Sequence, residues 1–176
     1  MTTPILAPMR FTPDEIADVV GIYVSNPEYC RAAGEYDPEH IEYGRVEADL
    51  REEVRTEGCH VLLARDGEGR AVGLVCLLDR HPKDGYPWIG LLMVSGSQRR
   101  RGVGRLLVRA VEERYLGQGR DGLRLAVLEN NPSASAFWSS LGWQEIDRRI
   151  DVQFERPCIV MHKELTRPRI TSVPRD

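Results

Sequence analysis

The chain has 176 residues and a formal net charge of −3; 41% of its residues are hydrophobic and 29% are charged. This length and composition suit one globular domain, and the negative balance disfavours nucleic-acid binding, which requires a basic surface. No apolar run approaches the ~20 residues of a membrane span, and Met1–Met9 lacks the pattern of a signal peptide. The four cysteines and four histidines are dispersed, without metal-ligand spacing. We therefore expect a cytoplasmic protein with free thiols and no bound metal.

The first half of the chain alternates between helical and extended patterns. Thr12, Pro13 and Glu15 favour a helix start, because they supply a cap, a proline at the first helical position and a capping-box acid. Asn26-Pro27 is expected to end that helix, and Asp37-Pro38-Glu39 to begin a second one. The predicted elements are a strand at Ile5–Met9, a helix from Thr12 to the break, a helix over 37–56, and a hairpin of strands Cys59–Arg65 and Ala71–Leu78.

The second half begins with a nearly continuous apolar run, Trp88–Val94, which is expected of a strand covered on both faces. The elements predicted after it are a helix over 102–116, a strand at Leu123–Leu128, a helix at Ser133–Leu141, and strands at Trp143–Arg149 and Cys158–Lys163. We predict one domain over residues 1–165. Residues 166–176 contain two prolines and no apolar periodicity, so we predict a flexible tail there.

The segment between Trp88–Val94 and the next helix has the features of an anion-binding site. Glycines at 102 and 104 remove side chains where a helix start presents unpaired N–H groups and the positive end of its dipole. Four arginines, Arg99, Arg100, Arg101 and Arg105, add donors for phosphate. The same residues also fit a solvated basic turn. A P-loop would need Lys-Ser/Thr after the second glycine, and a dinucleotide fingerprint would need a third small residue; both are missing.

Two blocks of the sequence resemble the GCN5-related N-acetyltransferase superfamily. Arg99-x-x-Gly102-x-Gly104, after an apolar strand, is similar to its pyrophosphate loop. Residues 130–143 are similar to its N-x-x-A-x-x-F-Y-x-x-x-G-F block, with tryptophan at the Tyr and Phe positions, and Val160–Leu165 resembles its last strand. The resemblance implies an α/β (α+β) fold. Its mixed, mostly antiparallel sheet would have six or seven strands, about four flanking helices, and central strands that splay apart to admit the cofactor.

The resemblance also implies acetyl-CoA, or another acyl-CoA, as acyl donor. Backbone groups on the strand before the turn would bind the pantetheine arm like an added strand, and N–H groups over 98–104 would hold the diphosphate. Asn131 would contact the arm, and Phe137 and Trp138 would pack near the thiol end. The residues expected to bind the cofactor are Leu92, Met93, Val94, Gln98, Arg99, Arg100, Arg101, Gly102, Val103, Gly104, Arg105, Asn131, Phe137 and Trp138.

The catalytic groups are less defined by the sequence. Acylation of an amine requires loss of a proton from the ammonium, stabilisation of the acyl oxygen and departure of the thiolate. The tyrosine acid of many family members corresponds to Trp138, and an indole is no practical acid at neutral pH. Either another residue supplies that proton or the thiolate leaves unassisted. The resemblance implies the N–H of Met93 as oxyanion donor, and Tyr86 and Glu129 are candidate bases, although each also fits a solvated loop position.

The first third of the chain is expected to contact the acceptor substrate. Tyr23, Tyr29 and Tyr36 would supply aromatic walls and Glu35 a carboxylate, which suits a cationic amine; ordinary helix packing is the alternative. We expect an N-acyltransferase acting on a primary amine of a small molecule or peptide. It would need no nucleic-acid or membrane partner, and a homodimer is left open. The alternatives are a catalytically inactive acyl-CoA-binding module and a nucleotide-phosphate binder.

Overall fold

The computed structural model describes residues 3–151 and 154–166, and the predicted tail lies outside these residues from 167 onward. In this part of the chain, seven strands and five α-helices follow one another. They are β1 (Ile5–Pro8), α1 (Pro13–Val24), α2 (Pro27–Ala33), α3 (Tyr43–Glu53), β2 (Cys59–Arg65), β3 (Ala71–Leu78), β4 (Trp88–Val94), α4 (Val103–Gly117), β5 (Gly122–Leu128), α5 (Pro132–Ser140), β6 (Gln144–Ile150) and β7 (Pro157–Glu164). A single 3-10 turn, Gly96–Gln98, precedes α4.

The strands form one sheet in the order β1-β2-β3-β4-β5-β7-β6. Neighbouring strands are antiparallel except β4 and β5, which are parallel and share only the register pairs Trp88↔Arg124 and Ile89↔Leu125. Beyond Ile89 these two strands separate, and the middle of the sheet opens. The structure thereby confirms the predicted mixed, mostly antiparallel sheet with splayed central strands.

The segment after α1 contains a helix that the sequence pattern does not predict. α1 starts as expected, with Thr12 Oγ1 accepting the N–H of Glu15 at 3.3 Å. It also ends before Asn26, as expected. However, Pro27 opens the additional helix α2, because proline is tolerated at the first helical position. Gly34, in the left-handed conformation with φ of 70°, ends that helix.

The helix predicted over 37–56 is wrong at its start. Asp37 Oδ1 accepts the N–H of Glu39 at 3.0 Å, which closes a local turn in place of a helix cap. α3 therefore begins only at Tyr43 and ends at Glu53. The sequence Asp-Pro-Glu satisfies a turn as well as a helix start, and local pattern does not distinguish the two.

Each face of the sheet carries its own apolar core. α4 and α5 cover one face, with Leu107 and Trp138 among the buried residues, while α1 and α3 cover the other. Only Ile89 and Met93 of the seven residues of β4 are buried. The expected cover on both faces of this strand is confirmed, since Leu92 and Val94 pack against one core while Leu91 and Met93 contact the other; the strand stays partly exposed because β5 has left its edge. Within the described ranges, no helix has the length and apolar character required to cross a bilayer.

Candidate active site

A cleft of about 740 Å³ opens where β4 and β5 separate. This volume falls within the roughly 300–1,000 Å³ typical of ligand pockets. The walls come from the end of β4, the turn before α4, α5 and the α1–α2 junction. Twelve residues expected to bind the cofactor line it: Leu92, Met93, Val94, Gln98, Arg99, Arg100, Gly102, Gly104, Arg105, Asn131, Phe137 and Trp138. Two others do not, since Arg101 is exposed away from the cleft and Val103 is buried in the core.

The start of α4 presents a row of unpaired backbone donors. Gly102 adopts a left-handed conformation with φ of 79°, and the backbone of Arg100 also has a positive φ, of 58°. The first hydrogen bond of the helix is donated by Leu106 N–H to the carbonyl of Gly102, at 3.1 Å. In the part of the chain that the structure describes, the six N–H groups of residues 100–105 have no protein acceptor. These donors, at the positive end of a helix dipole, fit a diphosphate.

Gly104 packs closely against the wall of the cleft. A Cβ placed on it would lie 3.2 Å from Phe137 Cζ and 3.6 Å from Val94 Cγ2. Both side chains line the cleft. A larger residue at position 104 would therefore push them into the space between β4 and α5.

Asn26 organises this region, although the sequence indicates it only as a helix break. Its side chain is buried, and Nδ2 donates to the carbonyls of Ile22 at 2.7 Å and Val94 at 3.1 Å. Its Oδ1 accepts a hydrogen bond from the Arg99 guanidinium. Asn26 thus ties the α1–α2 junction to the end of β4 and holds Arg99 beside the turn. A single polar residue before proline gives no signal of such distant contacts.

The backbone of β4 decides which donors face the cleft. Ser95 N–H donates to the Val72 carbonyl at 2.9 Å, which places the peptide groups of Ser95 on the β3 side. In an antiparallel pair, the N–H and C=O of successive residues point to alternate edges, so Met93 also points toward β3. The N–H groups of Leu92 and Val94 point toward the cleft. Met93 is therefore not positioned as the expected oxyanion donor, and Leu92 N–H occupies the corresponding cleft-facing position.

α5 forms an apolar wall opposite β4. Asn131 caps this helix, since its Oδ1 accepts the N–H of Ala134 at 3.2 Å. Phe137 and Trp138 meet edge to face with ring centroids 5.2 Å apart, and Trp138 meets Trp143 in the same way. The exposed fraction of Trp138 is only 7% although it lines the cleft. This wall shields the adjoining part of the cleft from water.

Neither of the two predicted bases reaches the cleft. Tyr86 packs edge to face against His162 at 5.1 Å between ring centroids, and the Arg124 guanidinium lies 4.2 Å from its ring centroid. It precedes Trp88, the first residue of β4, which lies roughly 20 Å from Val94 at the other end of the strand, given about 3.3 Å per residue. Glu129 is exposed and forms an ion pair with Arg148 at 3.1 Å. The contacts of both residues are those of structural positions.

The structure places the four predicted substrate residues in three different environments. Tyr29 lines the cleft. Tyr23 and Tyr36 pack edge to face at 4.9 Å and are buried in the core, so they do not form a wall. The carboxylate of Glu35 is already paired with Arg156 at 2.7 Å.

The splayed sheet, the glycine-opened helix and the cleft between them define the fold of an N-acetyltransferase. The model of the acetyltransferase (GNAT) family matches residues 19–143, and the chain belongs to this family. No curated protein matches the chain in sequence.

Solved structures with the same fold include an acetyltransferase from Thermus thermophilus, at 21% identity and a TM-score of 0.74, with 93% of this chain and 97% of that chain covered. A spermidine N-acetyltransferase from Vibrio cholerae, solved with CoA and spermine, has 14% identity and a TM-score of 0.71, with 93% and 96% covered. A GCN5-related N-acetyltransferase from Kribbella flavida has 21% identity and a TM-score of 0.65, with 93% and 98% covered. At these identities the similarity establishes the fold alone.

Proposed function

We propose that this protein transfers an acyl group from acetyl-CoA, or another acyl-CoA, directly to a primary amine of a small molecule or peptide. The observation that carries the proposal is the row of N–H groups over residues 100–105, which have no acceptor in the described part of the chain; four of these residues, Arg100, Gly102, Gly104 and Arg105, line the cleft. Membership of the GNAT family supports it. The arginines Arg100 and Arg105 also line the cleft and add positive charge near those donors.

The residues of the cleft suggest how each part of the donor is held. Acyl-CoA supplies an activated thioester when bound. N–H groups at the start of α4 bind its diphosphate, and the N–H of Val94 binds the arm. The N–H of Leu92 donates to the acyl oxygen and stabilises the negative charge that develops there. Phe137 and Trp138 exclude water from the thioester end.

Two measurements test the proposal on the full chain. Calorimetry should show micromolar binding of acetyl-CoA and much weaker binding of ATP. Release of free thiol from acetyl-CoA should then be detected with at least one of spermidine, a lysine-containing peptide and phenylethylamine. Tight binding without turnover on any of them would favour an inactive acyl-CoA-binding module. Equal affinity for ATP would favour a nucleotide-phosphate binder.

Trp138→Tyr tests whether a side-chain acid limits the reaction. Tyrosine is smaller than tryptophan and adds a phenol that can protonate the departing thiolate. We expect kcat to rise, but by less than the ~10²-fold at the lower end of general acid catalysis, because a coenzyme A thiolate is already a good leaving group. Trp138→Phe is the matched control, since it makes a similar space without the hydroxyl. Equal rates in the two variants would show that no acid is needed at this position.

A further inference from the structure

Glu53, the last residue of α3, lies beside the point where β4 and β5 begin to separate. β4 carries a bulge there, so that Gly90 lacks a register partner in β3. Gly90 directly follows Ile89, the last residue of β4 that pairs with β5, and it is exposed. A Cβ placed on Gly90 would lie 3.8 Å from Glu53 Oε1. The carboxylate of Glu53 therefore borders the open backbone at the start of the gap.

Among the described residues, no positive charge compensates the carboxylate of Glu53. Within residues 3–151 and 154–166, its carboxylate forms no ion pair. The ionisable groups that face it are the Cys76 thiol on β3, the Cys59 thiol on β2 and the Glu35 carboxylate. Burial raises the pKa of Glu53; a hydrogen bond with the Cys76 thiol opposes this rise, and the charge of Glu35 adds to it. A half-buried carboxylate of this kind is suited to accept a proton from a cationic ligand.

Two other carboxylates of this region are each paired with an arginine. Glu28 lines the cleft and pairs with Arg99 at 3.8 Å, and Glu35 pairs with Arg156 at 2.7 Å. Tyr29, which lines the cleft, packs against the same core cluster as Leu91 of β4, and this cluster includes Cys76. Glu53 lies next to Cys76 and Gly90, so it is at the side of this cluster that faces the start of the gap. Of these three carboxylates, Glu53 is the one that has no positively charged partner among the residues that the structure describes.

We propose that Glu53 is the general base for the acceptor amine, and that the substrate binds as an ammonium against this unpaired carboxylate. The inference rests on the proposed N-acyltransferase function. Gly90 and Leu92 are two residues apart on β4, or about 7 Å. Glu53 borders Gly90, so an amine that attacks an acyl group held by Leu92 N–H would reach the Glu53 carboxylate through one intervening water.

The proton balance assigns one transfer to Glu53. The ammonium loses its first proton to the Glu53 carboxylate, which later releases it to solvent. The neutral amine then attacks the acyl carbon, so that a C–N bond forms and the C–S bond breaks. The second proton leaves the nitrogen in this step and ends on the departing sulfur, giving the amide and the free thiol of coenzyme A.

Glu53→Gln, with Glu52→Gln as matched control, tests the assignment. Glu52 is the preceding residue, and its exposed carboxylate pairs with Arg55. With the amine that the wild type acylates best, we expect kcat/KM of Glu53→Gln at pH 7 to fall by roughly 10²-fold, the lower end of general base catalysis. Affinity for acetyl-CoA, measured by calorimetry, should stay within twofold of the wild type. Glu52→Gln should match the wild type in both.

The pH dependence separates a base from a merely structural residue. Wild-type activity should fall as the pH drops through the raised pKa of Glu53, since the protonated acid accepts no proton. The pH profile of Glu53→Gln should lack this fall. Its rate should instead rise steadily with pH toward the pKa of the amine, about 10 for an alkylammonium like that of lysine. Glu53→Asp, which keeps the carboxylate on a shorter side chain, should retain the fall with a lower rate.

Thermal unfolding gives a readout that does not depend on turnover. A carboxyl whose pKa is raised in the folded state destabilises the fold once ionised, because stability falls as the pH rises from the unfolded to the folded pKa. Glu53→Gln should therefore unfold at the same or a higher temperature than the wild type at pH 7. Three outcomes would contradict the role of Glu53 and leave the proposed function standing. They are a wild-type rate in Glu53→Gln, an unchanged fall of its activity at low pH, and a marked drop in its unfolding temperature. Failure of the wild type to acylate any tested amine would overturn the proposed function, and this inference with it.

Discussion

Gly104→Leu is expected to weaken binding of acetyl-CoA at least tenfold while the protein stays folded. Position 104 has no space for a side chain, because Phe137 and Val94 would lie within 3.2 and 3.6 Å of its first carbon. Overpacking of this kind costs about 1–3 kcal/mol when it is relieved by moving neighbours. Here the neighbours move into the cleft, so the cost appears mainly as lost affinity. A tenfold loss corresponds to about 1.4 kcal/mol of binding free energy.

Calorimetric titration with acetyl-CoA measures this effect, and thermal unfolding confirms that the variant folds. Gly117→Leu is the matched control, because Gly117 lies at the other end of α4 and a Cβ there meets no atom within 4 Å. It should bind acetyl-CoA as the wild type does. Unchanged affinity in Gly104→Leu would mean that the cofactor does not lie against this wall, and the placement of the diphosphate at the start of α4 would be wrong.

Asp84→Asn is expected to lower the free energy of unfolding by about 3 kcal/mol, the lower end of the cost of breaking a buried ion pair, because its pair with Arg124 is largely but not fully buried. Asp84 Oδ2 accepts from Arg124 Nη1 at 2.9 Å, with side-chain exposures of 13% and 18%. The carboxylate also accepts from the N–H of Tyr86 and the indole of Trp88. Asp84 therefore connects two elements, the loop that precedes β4 and the strand β5. The connection lies beside Trp88↔Arg124, one of the two register pairs through which β4 and β5 are joined.

Chemical denaturation of the variant and the wild type measures the loss. Asp147→Asn is the control, because Asp147 forms a more exposed pair with Arg149, and such pairs contribute roughly 0–1 kcal/mol. A loss in Asp84→Asn no larger than in this control would show that the Arg124 guanidinium finds other partners.

The contribution of Asp84 should also depend on pH. Burial by itself would raise the pKa of Asp84, but the hydrogen bonds from Tyr86, Trp88 and Arg124 outweigh it, and the pKa lies below its usual value. The stability from this group is therefore present above the unfolded pKa of about 3.9 and is lost as the pH falls through the lower folded pKa. Between about pH 5 and 2, the wild type should lose more stability than Asp84→Asn.

The cofactor region could be predicted because its signals are local. Gly102 and Gly104 lie two residues apart at a helix start, and the unpaired N–H groups follow from helix geometry wherever such a start occurs. The strand before it and the helix after it were likewise predicted within one or two residues, since each buries residues at its own period. The residues that line the cleft from this segment were therefore identifiable from the chain alone.

The residues proposed to act on the acceptor amine could not be predicted in the same way. The sequence offers Tyr86 and Glu129 as candidate bases. In the fold, the Arg124 guanidinium packs on the ring of Tyr86, and Arg148 forms an ion pair with Glu129. Glu53 gives no sequence signal, because it is one of many acidic residues in a polar helix. Its environment arises only when α3 packs over the bulge at Gly90.

By itself, the sequence determined the family, the order of strands and helices from β2 onward, and the turn before α4, because each depends on residues close together in the chain. The tertiary structure alone decided the separation of β4 from β5, the edge of β4 to which Met93 and Leu92 point, and the partners of Asn26 and Glu35. These features depend on strand register and on pairs of residues far apart in the chain. Side-chain periodicity specifies which residues are buried within an element, but it does not specify which element will meet them.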